Sequence, residues 1–232
     1  MKFLHIIFLL IFFMSCQSKD VKIPVNDNPG IHEVWDNSPI YILMQVDGQD
    51  TIADVKLGQT VSTTKWLVAA DRRLSLKQLR PALDKVLKKR HKKSIHSDGK
   101  GRLYLSYLDS VQQKVSFVEA SNLKLMPEYF TSKSYFKQYK QADKDFDKIH
   151  LKVFSKQFVL NDSVSWSGNL SKQDLSNRIK LWSKEQNLRH PKLYLNFDEA
   201  LSYNRFLDLY TFFKNDSLSM IQLSPKIFIF TP

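Results

Sequence analysis

Two aspartates, Asp71 and Asp198, are the residues whose setting in this chain could carry chemistry. Each ends an apolar, strand-like run and opens the same short sequence, Asp-x-x-Leu-Ser. Two carboxylates about 5 to 10 Å apart can share the acid and base work of glycoside hydrolysis. An aspartate at the end of a strand can also bond nearby backbone amides and close a strand-to-helix turn. A motif found twice, each time ahead of a helical pattern, behaves as a structural turn, so Asp71 and Asp198 are expected to be turn residues. Ser75 and Ser202 are then expected to cap the helices that follow.

Other constellations are weaker. The histidines stand at 5, 32, 91, 96, 150 and 190, and only His91 and His96 are near neighbours, in a basic stretch that would repel a cation. No spacing resembles a zinc site, so neither a metal nor a cofactor is expected. The chain has six glycines, with no Gly-x-Ser-x-Gly elbow and no phosphate-cradling loop. No catalytic residue is nominated, and the expectation is a protein that is not an enzyme.

The elements that would hold these residues begin after an unusual N-terminus. Lys2 is followed by a dozen mostly apolar residues and then by Ser15 and Cys16. Such a run has the form of an export signal and is too short to cross a bilayer as a mature helix, which takes roughly 20 residues. Residues 1–15 resemble a bacterial lipoprotein signal peptide, in which a small residue precedes a cysteine that is acylated and becomes the mature N-terminus. The resemblance implies lipidation of Cys16, and Cys16 is the only cysteine in the chain, so it has no disulfide partner within the chain. Gln17 after the cysteine matches a sorting rule for the outer membrane. The expected location is the cell envelope, lipid-anchored, at the outer membrane and facing the periplasm.

The net charge of +12 and pI near 9.6 invite a nucleic-acid reading. An exported protein meets lipid headgroups and wall polymers instead, so no nucleic acid is expected. Lys88, Lys89, Arg90, Lys92 and Lys93 form the densest basic cluster, at the end of an expected helix, where positive charge also suits the macrodipole. They are the candidates for contact with an anionic surface.

Residues 16–38 are polar and proline-bearing and read as a tether. A first α+β subdomain is expected over 39–119: a hairpin at 40–46 and 51–57, a strand at 65–70, a helix from 76 to about 89 with Pro81 inside it, and a second hairpin at 102–108 and 114–119. Residues 120–149 read as a connector, with a short helix at 135–145 and aromatic residues alternating with lysines. A second subdomain at 150–232 is expected to follow the order ββαβαβ: a hairpin at 152–160 and 163–166, a helix opened by Ser171, a strand at 193–197, a helix opened by Ser202 and closing strand material at 219–230.

The two subdomains share a repeat. Residues Trp66 to Ser75 align without gaps on Leu193 to Ser202, and Asp162 precedes Asp198 by 36 residues where Asp50 precedes Asp71 by 21. The first copy is therefore a shortened version that lacks one helix. Asp-Ser/Thr-aliphatic triplets at 50, 109, 162 and 216 resemble an O-glycosylation acceptor of envelope proteins, and they equally suit turns.

The order of elements around Leu193 to Asp198, Leu201 to Phe213 and Met220 to Leu223 resembles the periplasmic domain of the ExbD and TolR family. That resemblance implies a domain that dimerises and binds envelope partners or peptidoglycan. Members coupled to a proton channel carry an acidic residue in a transmembrane helix, and this chain has no Asp or Glu between 1 and 19, so proton coupling is not carried over. The expected function is a lipid-anchored envelope binding and assembly module, with association to energy transduction or peptidoglycan and homodimerisation as the implied partners. The alternative is a lipid-anchored enzyme acting on a carbohydrate polymer. A deep pocket with converging ionisable groups would favour the enzyme, and a broad patch or an open sheet edge the module.

Overall fold

The structure is a computed structural model and describes residues 20–58, 60–91, 101–126, 147–215, 218 and 220–232. Cys16, the signal segment, Lys92, Lys93 and the expected helix at 135–145 lie outside the described residues. The described chain is mixed α and β, with two sheets and three helices.

The first sheet is built from β1 (Val25–Asn26), β2 (Asn37–Asp47), β3 (Asp50–Val55), β4 (Lys65–Ala70), β5 (Leu103–Asp109) and β6 (Lys114–Glu119). Its order is β1-β5-β4-β2-β3, with β6 on the free side of β5. Gly48, at φ 61°, is the first of two residues turning β2 into β3, a position that demands positive φ. Helix α1 (Leu76–His91) runs through Pro81 and buries Leu79, Leu83 and Val86.

The second sheet holds β7 (Lys124–Leu125), β8 (Asp147–Val153), β9 (Gln157–Leu160), β10 (Val164–Ser167), β11 (Pro191–Asp198), β12 (Gln222–Leu223) and β13 (Lys226–Phe230). Its order is β10-β9-β8-β11-β13-β7, with β12 on β11. Helices α2 (Lys172–Glu185) and α3 (Tyr203–Lys214) complete this half. Parallel strands covered on both faces read as continuous apolar runs, and β8, β11 and β13 are buried almost throughout.

Both halves follow one plan. The order β3-β2-β4-β5 recurs as β9-β8-β11-β13; in each, the hairpin is antiparallel, the remaining pairs are parallel and a helix links the last two strands. The second half inserts β10 and α2, the helix that the first lacks. The two copies of the repeat also meet. The amide of Leu76 donates to the Leu201 carbonyl at 2.8 Å and that of Tyr203 to the Leu74 carbonyl at 2.8 Å, around an antiparallel bridge of Ser75 with Ser202. Aligning 74 with 201 and 76 with 203 makes each bond the image of the other, so the contact is isologous, as across a twofold axis.

Three expectations need correction. The run 152–160 is not one strand, because the chain reverses over 154–157 and Phe154 N–H donates to the Gln157 carbonyl. That turn carries none of the Gly, Pro, Asn or Asp that would announce it. Residues 24–38 are not a free tether: β1 pairs with β5, Ile31 bridges Phe117, and the Tyr107 hydroxyl donates to the Asn28 carbonyl at 3.1 Å. A Cβ on Gly30 would lie 2.1 Å from that hydroxyl, so the segment packs where only glycine fits. The described ends of the 120–149 connector are strands, since β7 adds to β13 and β8 begins at Asp147. With β10 and β12 included, the second half reads βββαβαββ.

Candidate binding surface

The sequence singled out the strand-to-helix turns, and their geometry is that of turns. Asp71 accepts from the Arg73 amide at 3.0 Å and is gripped by the Arg73 guanidinium at 2.9 and 2.7 Å. Burial works against its carboxylate, but these bonds and the Lys22 amide outweigh burial and hold its pKa below the usual carboxylate value. Asp198 accepts from the Ala200 amide at 2.9 Å. Ser75 and Gln78 form a capping box, the Ser75 hydroxyl accepting from the Gln78 amide and the Gln78 side chain from the Ser75 amide. Ser202 caps α3 by accepting from the Arg205 amide at 3.3 Å.

The described members of the basic cluster are committed locally. Lys88 pairs with Asp84 one turn earlier at 2.5 Å. Lys89 donates to Thr60 Oγ1 and to the Leu57 carbonyl, while Arg90 donates to the carbonyls of Ser62 and Gly101 and stacks 4.8 Å over Trp66. These contacts fasten the loop before β4 to the end of α1 and draw on charges that the sequence had offered to an anionic surface.

Two open clefts lie at the C-terminal end of α3. One, of about 380 Å³, is lined by Lys124, Tyr210, Lys214 and Gln222; the other, of about 310 Å³, by Pro29, Phe117, Glu119 and Lys214. Lys214 borders both, and neither lining holds a pair of carboxylates. No cluster of His, Cys, Asp and Glu suited to a metal ion occurs among the described residues. No helix of theirs is long and apolar enough to cross a membrane.

The open surface is the outer face of the first sheet at its flanking strands β2, β3 and β6, with Tyr104 and Ser106 of β5 buried between them. Along β2, Ser38, Ile40 and Ile42 point inward, so Pro39, Tyr41 and Leu43 occupy the other face. Cross-strand register places Ile52 beside Gln45 on that same face, and Val115 follows through the rows Pro39, Leu67, Tyr104 and Glu119. Tyr41 is 53% exposed, Val115 47% and Ile52 41%, whereas the strands at the centre of the second sheet are covered on both faces. The outer edge of β3 makes no backbone hydrogen bond among the described residues and carries Asp50 and Asp54. The sequence showed the alternation along each strand but not which face stays uncovered, since that depends on strand neighbours and helix placement.

Tyr203, at the start of α3, is fully buried and its hydroxyl finds no partner among the described residues. Burial pushes its pKa upward. Because an unsatisfied buried hydroxyl costs roughly 1 to 3 kcal/mol, Tyr203→Phe is expected to be neutral or to stabilise by up to about 1 kcal/mol in urea unfolding. Destabilisation by more than about 1 kcal/mol would show that the hydroxyl is bonded.

No protein-family model, no curated protein and no solved structure matches this chain.

Proposed function

We propose that this chain is a lipid-anchored cell-envelope protein that binds and assembles, without catalysis, through the outer face and free edge of its first sheet. The observation that carries the reading is the exposure of Tyr41 and Ile52 on the outer face of the β2–β3 hairpin, with Val115 exposed on the same face of the sheet at β6. Large apolar side chains left exposed on one sheet face, here beside Asp50 and Asp54, are candidates for contact with a partner. The clefts offer lysine, amide and phenol groups, chemistry suited to holding an anionic group. They offer less to the alternative of a carbohydrate-cleaving enzyme, which needs a carboxylate pair.

The finer fold we propose is that of the ExbD and TolR periplasmic domain, present twice. The shared strand order and the isologous Ser75–Ser202 contact support it. On this reading the homodimer implied by the resemblance is already made within one chain, and the partner is a different envelope component, a protein or peptidoglycan.

The test is crosslinking in intact cells with wild type, Cys16→Ala and Tyr41→Glu. Cys16→Ala should leave the membrane fraction. Tyr41→Glu should stay there, keep its melting temperature and lose about tenfold or more of the captured component, the effect of a charge placed in an interface core. Capture undiminished by Tyr41→Glu would remove the sheet face from the proposal.

A further inference from the structure

We infer that the end of the body carrying Lys22, Arg72 and Arg73 is the end held against the lipid headgroups, with the basic end of α1 directed away from them. The inference rests on the lipid-anchor reading and concerns which surface meets the membrane. The Lys22 carbonyl accepts from the Arg72 amide at 2.7 Å, and the Lys22 amide approaches the Asp71 carboxylate at 3.5 Å. Lys22 therefore belongs to the body, and only residues 17–21 separate it from Cys16. Even fully extended, that stretch reaches about 20 Å, which is less than the width of the body it would have to pass around.

Two elements give this end its shape. Helix α1 starts at Leu76, just beyond the Asp71 turn, and its length carries Lys88 and Arg90 about 18 to 21 Å away. In the opposite direction, β2 continues past its last pairing with β4 at Ile42–Ala70 and runs on to Asp47. The β2–β3 hairpin thus projects about 17 Å beyond the end of β4, on the side where Lys22 lies. Its tip carries exposed Val46 between Gln45 and Asp47.

Charge does not set this orientation. Lys22, Arg72 and Arg73 share that end with Asp47 and Asp50 at the hairpin tip, Arg73 is paired with Asp71, and Lys77 is paired with Glu199. An orientation fixed by a short leash should be indifferent to salt and to anionic lipid. One fixed by Lys88 to Arg90 should weaken as salt rises.

The experiment uses full-length protein processed in cells and reconstituted into vesicles of zwitterionic lipid bearing a headgroup quencher. Acylation consumes the only native cysteine, so a fluorophore on Arg72→Cys or Lys88→Cys marks one place, and both residues are exposed. Most of the fluorescence should be lost at position 72 and little at 88, unchanged by high salt. Inserting a long Gly-Ser stretch after Ser18 should abolish the difference. Vesicle-bound protein quenched equally at both positions, or more at 88, overturns this inference and leaves the anchor standing. Protein that does not float with vesicles overturns the anchor reading, and this inference with it.

Discussion

Replacing Phe206 with alanine is expected to lower the unfolding free energy by about 3 to 5 kcal/mol, a large part of the roughly 5 to 15 kcal/mol of a typical domain. Phe206 is buried in α3 at the middle of an aromatic row, with Phe197 edge-on at 5.1 Å, Tyr210 stacked at 5.8 Å and Tyr203 at 6.0 Å. Truncation removes the ring's buried area and leaves a cavity that three large neighbours cannot close. The loss should be felt by both halves, because buried apolar residues from Ile40 to Ile229 form one continuous cluster. Arg80 of α1 donates to the Ile229 and Met126 carbonyls, and Asn204 of α3 accepts from the Val25 amide, so each helix is also bonded to backbone outside its own motif. Hydrogen exchange would check this: amides of β4 and β11 should lose protection to a similar extent in Phe206→Ala. Protection unchanged in β4 and lost in β11 would mean two independent cores, as a division at 120–149 supposes.

Local signals proved readable and long-range ones did not. Ser75, Ser171 and Ser202 each start a helix because a serine hydroxyl caps the amide three residues on, an interaction written within one turn of sequence. The alternation in β2 and β4 likewise follows from one face being buried. Residues 24–38 misled because polar, proline-bearing sequence looks the same whether solvated or packed. Asn28 is buried because its side chain donates to the Asp208 carbonyl, and Asp27 is held by Lys172, which also binds Asp208 at 2.7 Å. None of those partners is near in sequence. Two-residue strands such as β7 and β12 have no pattern of their own and exist only through the neighbour they join.

The sequence said what kind of surface to look for but not where it would lie. A broad patch or open sheet edge was the feature to look for, yet the residues nominated by type, the lysines of 88 to 93, turn out in their described part to be bonded within the fold. Tyr41 and Val115 share a face only because β2, β4, β5 and β6 lie side by side, an order set by two crossovers and a hairpin. The repeat told more than its residues did. Aligned motifs announced equivalent turns, and the structure adds that the two turns touch, which no alignment of a chain with itself can show.

Acidification should destabilise the protein well before its carboxylates are protonated, because of His150. The imidazole is buried in β8, stacked on Tyr194 at 4.9 Å between rings. Burial is the main cause that pushes its pKa down from 6.5 to about 3, Lys148 and Lys152 add to it, and Asp162 opposes. Between those two values the unfolded chain binds a proton that the folded protein excludes, so stability must fall as pH falls, by about 1.4 kcal/mol per unit below roughly 6.5. From pH 7 to 5 the loss should be about 2 kcal/mol, measured as the urea unfolding free energy. Asp71 adds a second window: its lowered pKa contributes stability above the ordinary value of 3.8 that is lost as pH drops through the folded one. The two are separable. His150→Gln cannot titrate and should flatten the profile between pH 6.5 and 5 while leaving the decline below pH 4, whereas a wild type equally stable at pH 7 and pH 5 would mean that the buried ring is charged and paired.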